Sequence, residues 1–239
     1  MQHIIESLTD PADHLALDEA VLLAADSGEL SETIRVWQFD RHVVVLGRSS
    51  KVDYEVDRAY CESNDIAILR RCSGGASVVG GPGCLMYSVV ISLNKQPELR
   101  KIDAAHRYVM QRVLAAVQQQ VPECQLKGIC DLTFLNRKFS GNSLRVSRSH
   151  LLYHGTILFD ADLNLLARCL CNAPRQPDYR DGRDHGDFVT NVPINPDELS
   201  RDLIKHFEAE AEPLTELPQS RIRKLRQERY DAAQWHFRH

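Results

Sequence analysis

The segment from Arg70 to Gly83 places a glycine-dense loop behind two arginines and between two apolar, strand-like runs, at 66–69 and 85–93. Glycine lets backbone N–H groups approach an anion in conformations that a Cβ would forbid. Paired guanidinium groups supply forked donors for a carboxylate or a phosphate. Glycine turns between strands are also ordinary. The segment therefore predicts a sheet interrupted by a loop that either binds an anion or only turns the chain.

Strand-like runs dominate the centre of the chain, and helical spacings occupy separate blocks. Strands are predicted at 33–38, 43–46, 66–69, 85–93, 132–135, 138–146 and 151–159. Helices are predicted from Asp10 to near Gly28 and at 55–62, 102–121, 163–171, 196–210 and 220–236, with a charged loop at 174–187. A strand follows the glycine loop where a dinucleotide fingerprint needs a helix. The pattern predicts an α+β fold with a mixed, largely antiparallel sheet and helices packed around it.

Length and composition restrict the class of protein. The 239 residues, 43% of them hydrophobic and 26% charged, are enough for one substantial core, and we expect a single domain over 1–239. The formal charge of −4 argues against a general nucleic-acid binder, and no apolar run is long enough to span a membrane. Seven scattered cysteines form no disulfide framework, which favours a cytoplasmic protein with free thiols. Cys169 and Cys171, two apart in a predicted helix, point away from each other and do not predict a metal site.

Several segments, taken in order, resemble the lipoate-protein ligase and octanoyltransferase family, the catalytic relatives of biotin-protein ligase. The substrate loop of that family has a sequence motif similar to the one found here from Arg70 onward, Arg-Arg-x-Ser-Gly-Gly-x-x-Val followed by Gly-x-x-x-Tyr-Ser. The other matching segments are 15–20, 45–50 with 55–57, 136–145 and 153–158, and the resemblance spans about residues 15–192. It implies a catalytic domain like that of the biotin and lipoate ligases.

The resemblance implies the roles of the candidate site residues. Lys138 matches the essential lysine of the Gly-Arg-Lys-x-Ser-Gly segment, although a lone lysine in a strand is usually solvated. An ammonium between a carboxylate and a triphosphate would stabilise the charge that develops during adenylation. Binding of substrate or adenylate is implied for Arg48, Arg70, Ser73, Gly74, Gly75, Ala76, Ser77, Val78, Tyr87, Asp131, Ser140, Gly141, Asn142, His154, Gly155 and Thr156.

Three of these residues have a more specific implied role. Asp131 matches the acidic residue of an Asn-Asp pair and is expected to bind nucleotide or Mg²⁺, although Cys130 replaces the asparagine. His154 is expected beside the acyl chain or carboxylate, with Gly155 leaving room, or else as a buried histidine bonded to backbone. Arg48 is expected at the mouth of the pocket, or else as a surface arginine beside a turn glycine.

Besides Cys130, the chain departs from the family pattern at three positions and at its C-terminal end. Gly80 occupies the position of a common histidine, Ala76 that of a third glycine, and Phe188 that of an arginine in the Ser-Arg-Val-x-Asn segment. The chain also stops soon after the catalytic domain, so the separate C-terminal accessory domain of two-domain ligases is expected to be absent. Its function would come from a second polypeptide or be dispensed with.

The resemblance leaves three functions open. The first is a lipoate-protein ligase that uses ATP and Mg²⁺ as co-substrates, without a tightly bound cofactor, and modifies lipoyl domains of 2-oxoacid dehydrogenases or the glycine cleavage H protein. The second is an octanoyltransferase that takes an octanoyl group from acyl carrier protein through a cysteine thioester. Cys124 and Cys130 lie in the region of that nucleophile, although a structural role suits both better. The third is a non-catalytic protein that binds an acyl group or an adenylate.

Overall fold

The computed structural model of the chain describes residues 1–171 and 176–239. The strands are β1 (Gln2–Ile4), β2 (Thr33–Trp37), β3 (Val43–Leu46), β4 (Ala67–Arg70), β5 (Val78–Gly80), β6 (Cys84–Ser92), β7 (Gln125–Lys127), β8 (Asp131–Phe134), β9 (Arg137–Val146), β10 (His150–Leu158) and β11 (Pro213–Leu214). The helices are α1 (Pro11–Asp26), α2 (Val52–Glu55), α3 (Arg58–Ser63), α4 (Ile102–Gln118), α5 (Leu163–Cys169), α6 (His185–Phe188), α7 (Pro196–His206), α8 (Gln219–Leu225) and α9 (Ala233–His236).

The larger sheet has the strand order β11-β1-β2-β6-β10-β9-β8-β7. β1 is parallel to both of its neighbours, and the other pairings are antiparallel. β6 and β10 form its centre, with His154 opposite Ser88 and Gly155 opposite Tyr87. The predicted α+β fold with a mixed, largely antiparallel sheet is confirmed.

A smaller sheet with the order β4-β3-β5 carries the glycine loop. β3 is parallel to β4 and antiparallel to β5. The predicted direct passage from the loop into the strand at 85–93 is wrong in detail, because residues 78–80 first pair with β3 as the short strand β5. The glycine loop proper is therefore residues 71–77, held at both ends by one sheet.

Helix α1 passes through the core and brings polar side chains with it. Asp10 caps its first turn, accepting from the backbone N–H of Ala12 at 2.9 Å, and Pro11 follows the cap. Ala16 and Leu17 are fully buried, and so is the side chain of Glu19. The helix contacts β6 and β10 on one side and α8 on another. Because it is enclosed on most faces, its buried acidic residues need partners within the protein.

The C-terminal third differs most from the sequence prediction. The helix predicted over 220–236 is divided into α8, a π-helical turn at Arg226–Tyr230 and α9. Within the charged loop predicted at 174–187, a 3₁₀ turn at Asp178–Arg180 and the start of α6 are formed, whereas residues 174 and 175 lie outside the described part. No helix within the described ranges is both long and apolar enough to cross a membrane.

Candidate active site

A cavity of about 220 Å³ lies between the central strands of the larger sheet and the glycine loop. Its apolar lining comes from α1, β2, β5, β6, β10 and α5, through Leu15, Trp37, Val78, Val79, Met86, Leu158 and Leu166. Its polar lining includes Asp18, Glu55, Lys138, Asn142, His154, Arg180 and His185. An apolar chain that ends in a charged head group matches such a lining.

Lys138 reaches this cavity from β9 and is held by an acidic partner on β8. Its Nζ lies 2.7 Å from Oδ1 of Asp131, and its side chain is 27% exposed. The hydroxyl of Tyr179 donates to Oδ2 of Asp131 at 2.8 Å. Burial and the Asp131 carboxylate raise the pKa of Tyr179 above its usual value, so this hydroxyl keeps its proton. The ammonium is therefore fixed at the cavity wall by a carboxylate that is itself hydrogen-bonded.

The same geometry does not fit the expected metal role of Asp131. Each of its two carboxylate oxygens is already engaged, one by Lys138 and one by Tyr179. Across residues 1–171 and 176–239, no three His, Cys, Asp or Glu side chains come close enough to hold a metal ion. In this structure Asp131 is the partner of the lysine and of Tyr179, rather than part of a set of metal ligands within the described residues.

His154 occupies the centre of a buried hydrogen-bond chain. Its Nδ1 lies 3.0 Å from Oδ2 of Asp18, and its Nε2 lies 2.5 Å from Oγ of Ser73. Oδ1 of Asp18 accepts from Arg35 Nη1 and from Ser88 Oγ, both at 2.8 Å. Burial alone would raise the pKa of Asp18, but the charge of Arg35 and the bonds from His154 and Ser88 outweigh it and hold that pKa below its usual value. An ionised Asp18 can only accept, so Nδ1 of His154 donates to it.

The order Ser73, His154, Asp18 has the connectivity of a nucleophilic triad, but Ser73 does not face the cavity. It is 1% exposed, and its Oγ also accepts from Nε of Arg71 at 3.1 Å. A nucleophile must reach a substrate carbonyl, whereas this hydroxyl is enclosed by protein. In the structure it attaches the glycine loop to β10, whereas His154 and Asp18 line the cavity.

Both loop arginines donate to backbone carbonyl oxygens of the protein, but Arg71 lines the cavity and Arg70 does not. Arg70 is fully buried, lies outside the cavity lining, and donates to the backbone oxygens of Gly47, Ser50 and His236 at 2.7, 2.8 and 2.7 Å. The structure contradicts the expectation that the Arg70 side chain binds substrate or adenylate, because this side chain leaves β4 on the side that packs against the C-terminal residues. Backbone carbonyls of the turn after β3 and of α9 accept its hydrogen bonds, and sequence alone does not reveal them.

Arg71 instead shapes the loop from within. Its guanidinium donates to the carbonyl oxygens of Val45, Gly74 and Ala76 at 3.0, 2.5 and 2.9 Å. Burial lowers the pKa of Arg71 to about 10, which leaves it charged at neutral pH. Gly75 adopts φ 83°, and its carbonyl oxygen packs against Gly47. A Cβ on Gly47 would lie only 1.8 Å from that oxygen. The carbonyls of the glycine loop therefore point toward the Arg71 guanidinium. Glycines occupy the contact between this loop and the turn after β3, where no side chain would fit.

Other predicted loop residues divide between the cavity and its surroundings. Gly75, Ala76, Ser77 and Val78 line the cavity, whereas Arg48, Ser73 and Gly74 do not. Oε2 of Glu55 accepts from both the backbone N–H and the hydroxyl of Ser77 at 2.8 Å. Arg48 has an exposed side chain, while its backbone N–H donates to Ser73 O at 2.7 Å. Glu55 was part of a matching segment, yet only the structure reveals that it anchors the loop.

Predicted residues of β6, β9 and β10 do come together at the cavity, namely Tyr87, Ser140, Gly141, Asn142, Gly155 and Thr156. The hydroxyl of Tyr87 donates to Oδ1 of Asn142 at 2.5 Å, and Nδ2 of Asn142 donates to Cys130 O at 2.6 Å. A Cβ on Gly155 would lie 1.8 Å from that Oδ1. The sequence predicted that Gly155 leaves room beside His154. In the structure, the space next to Gly155 is occupied by the Tyr87–Asn142 pair.

The two cysteines considered as nucleophiles do not line the cavity. Cys124 is fully buried, and burial raises its pKa to about 11. Burial and the charge of Asp131 likewise raise the pKa of Cys130 to about 11. Since the thiolate is the reactive form, both fit a structural role. Cys171 is exposed and does line the cavity.

Arg180 and His185 are cavity residues that sequence reasoning missed. They lie in the segment predicted as a charged loop. This segment has so many charged residues that the sequence gives no reason to select any one of them as a site residue. Burial, with the charges of Arg180 and Lys138, lowers the pKa of His185, which is neutral at physiological pH. Phe188, the apolar residue in place of a family arginine, is 3% exposed, and Arg180 lies over its ring with 5.0 Å from guanidinium carbon to ring centroid.

Comparison with known proteins gives one family. The model of the lipoyl protein ligase A/B catalytic domain matches residues 10–208. A protein of Mycoplasma genitalium named "Probable lipoate-protein ligase A" is 30% identical over 168 residues, covering 70% of this chain and 48% of that protein. Octanoyltransferase LipM of Halalkalibacterium halodurans is 25% identical over 265 residues, covering 96% and 95%. The chain thus spans about half the length of the Mycoplasma relative.

Solved structures share the fold. A bipartite lipoate-protein ligase of Thermoplasma acidophilum, studied with its E2 lipoyl domain, superposes with a TM-score of 0.80 at 23% identity, covering 98% of this chain and 94% of that one. A lipoate-protein ligase A bound with ATP gives a TM-score of 0.81 at 22% identity, covering 99% and 98%. At these identities the likeness concerns the arrangement of strands and helices.

Proposed function

This chain belongs to the lipoyl protein ligase A/B catalytic-domain family, and we propose that it attaches lipoate to a lysine of lipoyl domains in an ATP-dependent reaction. A carboxylate oxygen of lipoate attacks the α-phosphorus of ATP, and the bond to pyrophosphate breaks. The acceptor amine then attacks the carbonyl carbon of the lipoyl adenylate. AMP leaves with the electron pair of the broken C–O bond, and the amide nitrogen loses a proton.

The observation that carries this proposal is the Lys138 ammonium at a cavity whose remaining lining is largely apolar. In the first step two anions, a carboxylate and a triphosphate, must approach each other. A positioned ammonium in a partly desolvated site stabilises the charge on the transferring group more than water does. Asp131 holds Nζ in place at 2.7 Å before the substrate arrives, so little reorganisation is needed during the reaction.

The apolar lining supports a hydrocarbon chain as the other part of the substrate. Leu15, Trp37, Met86 and Leu158 bring aliphatic and aromatic surface to the cavity. Burying an acyl chain against such surface contributes about 0.8 kcal/mol per CH₂ group. Lipoyl and octanoyl chains would both fit an apolar lining. The two candidate substrates therefore differ in how the carboxyl group is activated, by ATP for lipoate or as a thioester for the octanoyl group.

ATP enters the proposal as a co-substrate, and Mg²⁺ as the ion that accompanies its phosphates. The acceptors are lipoyl domains of 2-oxoacid dehydrogenases or the glycine cleavage H protein. The catalytic domain either works alone or receives help in adenylation from a separate accessory protein. The cysteines in the described ranges are unpaired thiols, which fits a reducing, cytoplasmic location.

An octanoyltransferase is the second candidate, favoured by the match along nearly the whole of the LipM relative. Acyl transfer from a carrier protein without ATP would need a thiolate near the acyl carbonyl. The high pKa values of Cys124 and Cys130 count against both. Cys171, exposed at the cavity, is the cysteine to test for this route.

Mass spectrometry of a lipoyl domain tests the two candidates directly. The domain is incubated with the protein and either lipoate plus Mg-ATP or octanoyl acyl carrier protein, with and without a candidate accessory protein. The ligase requires a mass increase that depends on ATP, and Lys138→Ala should lower its rate by about 100-fold or more. Lys95→Ala is the matched control, because this lysine is 68% exposed and pairs with Glu32 away from the cavity. Modification without ATP that is lost in Cys171→Ser would replace the ligase with the transferase.

A further inference from the structure

Arg180 is a buried arginine whose terminal nitrogens have no protein partner in the described part of the chain. It is 6% exposed and lines the cavity. Its Nε donates to Arg183 O at 2.9 Å. Within residues 1–171 and 176–239, neither Nη atom has a hydrogen-bond acceptor, and no carboxylate lies within ion-pair distance. Neither Nη is a fully buried atom, so solvent reaches both of them, and both are free to donate to an anion that enters the cavity.

The position of Arg180 is held by contacts that leave both Nη atoms available. Nε of Arg183 donates back to Arg180 O at 3.0 Å, which closes a reciprocal pair with the bond from Arg180 to Arg183. The ring of Phe188 supports one face of the guanidinium at 5.0 Å. Tyr179, the preceding residue, is bound to Asp131. The backbone and the plane of the guanidinium group are therefore held by contacts within the protein, while both Nη atoms stay without an acceptor among the described residues.

The surroundings of Arg180 carry an excess of positive charge. Lys138, Arg180 and His185 all line the cavity, and the positive charges of Arg180 and Lys138 help to lower the pKa of His185. The nearby carboxylate, Asp131, is already paired with Lys138 at 2.7 Å. Asp178, Asp181, Asp184 and Asp187 belong to the same segment, but none of them forms an ion pair with Arg180. These surroundings therefore favour an anion.

We propose that Arg180 binds the phosphate group of the acyl adenylate through its two terminal nitrogens. The inference rests on the ATP-dependent function proposed above and assigns the group that holds its intermediate. Once the carboxylate has become a mixed anhydride, its carbonyl is neutral and the phosphate carries the negative charge. A planar fork matches two phosphate oxygens better than a single ammonium does. Lys138 then acts on the carboxyl side of the anhydride, and Arg180 retains the phosphate side until the acceptor amine attacks.

The test compares a ligand that carries the phosphate with one that does not. Dissociation constants of lipoyl adenylate and of lipoate are measured by calorimetry for the wild type and for Arg180→Gln, which keeps much of the side-chain bulk over Phe188. Losing a charged, bidentate contact should raise the dissociation constant of lipoyl adenylate by about 10- to 100-fold and change that of lipoate by less than about twofold. Arg180→Lys, which keeps the charge without the fork, should lie between.

Arg168→Gln is the matched control. Arg168 is also stacked on an aromatic ring, with its guanidinium 4.8 Å from the centroid of Tyr60, but it is exposed and outside the cavity. The Arg168→Gln variant should bind lipoyl adenylate and lipoate with the same dissociation constants as the wild type. Thermal unfolding of each variant identifies any loss of folding, and Arg180→Lys keeps the test valid if Arg180→Gln does not fold.

Each outcome has one meaning. Selective loss of lipoyl adenylate binding supports the assignment. Unchanged binding in Arg180→Gln, or equal weakening of both ligands, overturns it, since the arginine would then only stack on Phe188. If the wild type itself neither binds lipoyl adenylate nor modifies a lipoyl domain with ATP, the proposed function fails, and this inference fails with it. That failure appears in the wild type rather than in the variants, so the two cases remain distinguishable.

Discussion

At the scale of single residues, Gly80 and Phe39 depend on each other. A Cβ on Gly80 would lie 2.6 Å from Cδ2 of Phe39, a contact that real structures avoid. Phe39 is 1% exposed and packs edge-on against Trp37, with 4.6 Å between ring centroids, and Trp37 lines the cavity. The glycine that departs from the family pattern therefore has a packing reason, because an aromatic ring occupies the space of its side chain.

Gly80→Ala is expected to lower the free energy of unfolding by about 1–3 kcal/mol, because the added methyl group overpacks a buried site. Phe39→Leu in the same chain should recover part of that loss. Urea denaturation of the two single variants and the double variant measures the coupling. Gly186→Ala is the control, since a Cβ there meets nothing within 4 Å. Additive effects in the double variant would show that the two sites are independent.

In the proposed reaction, Asp131 positions Lys138 through their ion pair. Asp131→Asn keeps the shape of the side chain but removes the charge that holds Nζ, and we expect kcat for domain modification to fall by about 10- to 100-fold. The dissociation constant of lipoate should change little, because Asp131 contacts the lysine and Tyr179. Tyr179→Phe leaves the ion pair intact and should have a smaller effect. A large change in lipoate affinity without a change in kcat would contradict this role.

At the scale of elements, Asp26 joins the end of α1 to the turn between β9 and β10. Its Oδ1 accepts from the backbone N–H and the hydroxyl of Ser149, both at 3.0 Å, and its Oδ2 accepts from Ser147 Oγ and from Arg148 N. Nδ1 of His150 lies 3.4 Å from Oδ1. Burial would raise the pKa of Asp26, but these hydrogen bonds lower it to about 2.

This depressed pKa predicts how the stability of the junction depends on pH. The folded protein favours ionised Asp26, so the contribution is present above the ordinary value of 3.8 and is lost as pH falls toward about 2. Asp26→Asn should cost about 1–2 kcal/mol at pH 7. Urea denaturation of both proteins from pH 7 to pH 2 measures the difference. A gap that stays constant below pH 4 would contradict the assignment.

Elements with strong local signals were predictable from the sequence, whereas side-chain directions were not. The Asp10-Pro11 cap predicts α1, and long apolar runs predict β6 and β10. β5 was missed because three residues ending in glycine carry little pattern. The substrate- or adenylate-binding role expected of Arg70 failed because the acceptors of its side chain lie in distant parts of the chain. Arg180 was not found, since only tertiary structure distinguishes a buried guanidinium from its exposed neighbours.

At the scale of the whole molecule, the C-terminal segment, defined as residues 230–239, supports the glycine loop from behind. The backbone oxygens of Trp235 and His236 accept from the Arg70 guanidinium, and Nε1 of Trp235 donates to Arg70 O at 2.9 Å. The same guanidinium binds the carbonyls of Gly47 and Ser50. One buried arginine thus connects the smaller sheet, the turn after β3 and the end of the chain.

Deleting residues 233–239 should therefore affect the site from a distance. Arg70 would lose the acceptors supplied by Trp235 and His236 and keep a buried charge that is only partly compensated, so we expect the free energy of unfolding to fall by about 3 kcal/mol or more. Hydrogen exchange at residues 46–50 and 71–77 should accelerate, because these turns lose their support. Deleting only residues 238–239 is the control, since every acceptor of Arg70 remains. It removes the bonds from Arg238 to Arg48 O and from Val52 N to His239 O, so the comparison with the longer deletion is made at residues 71–77, where the change should be small. Equal protection of the loop in both truncated chains would show that the C-terminal segment does not hold it.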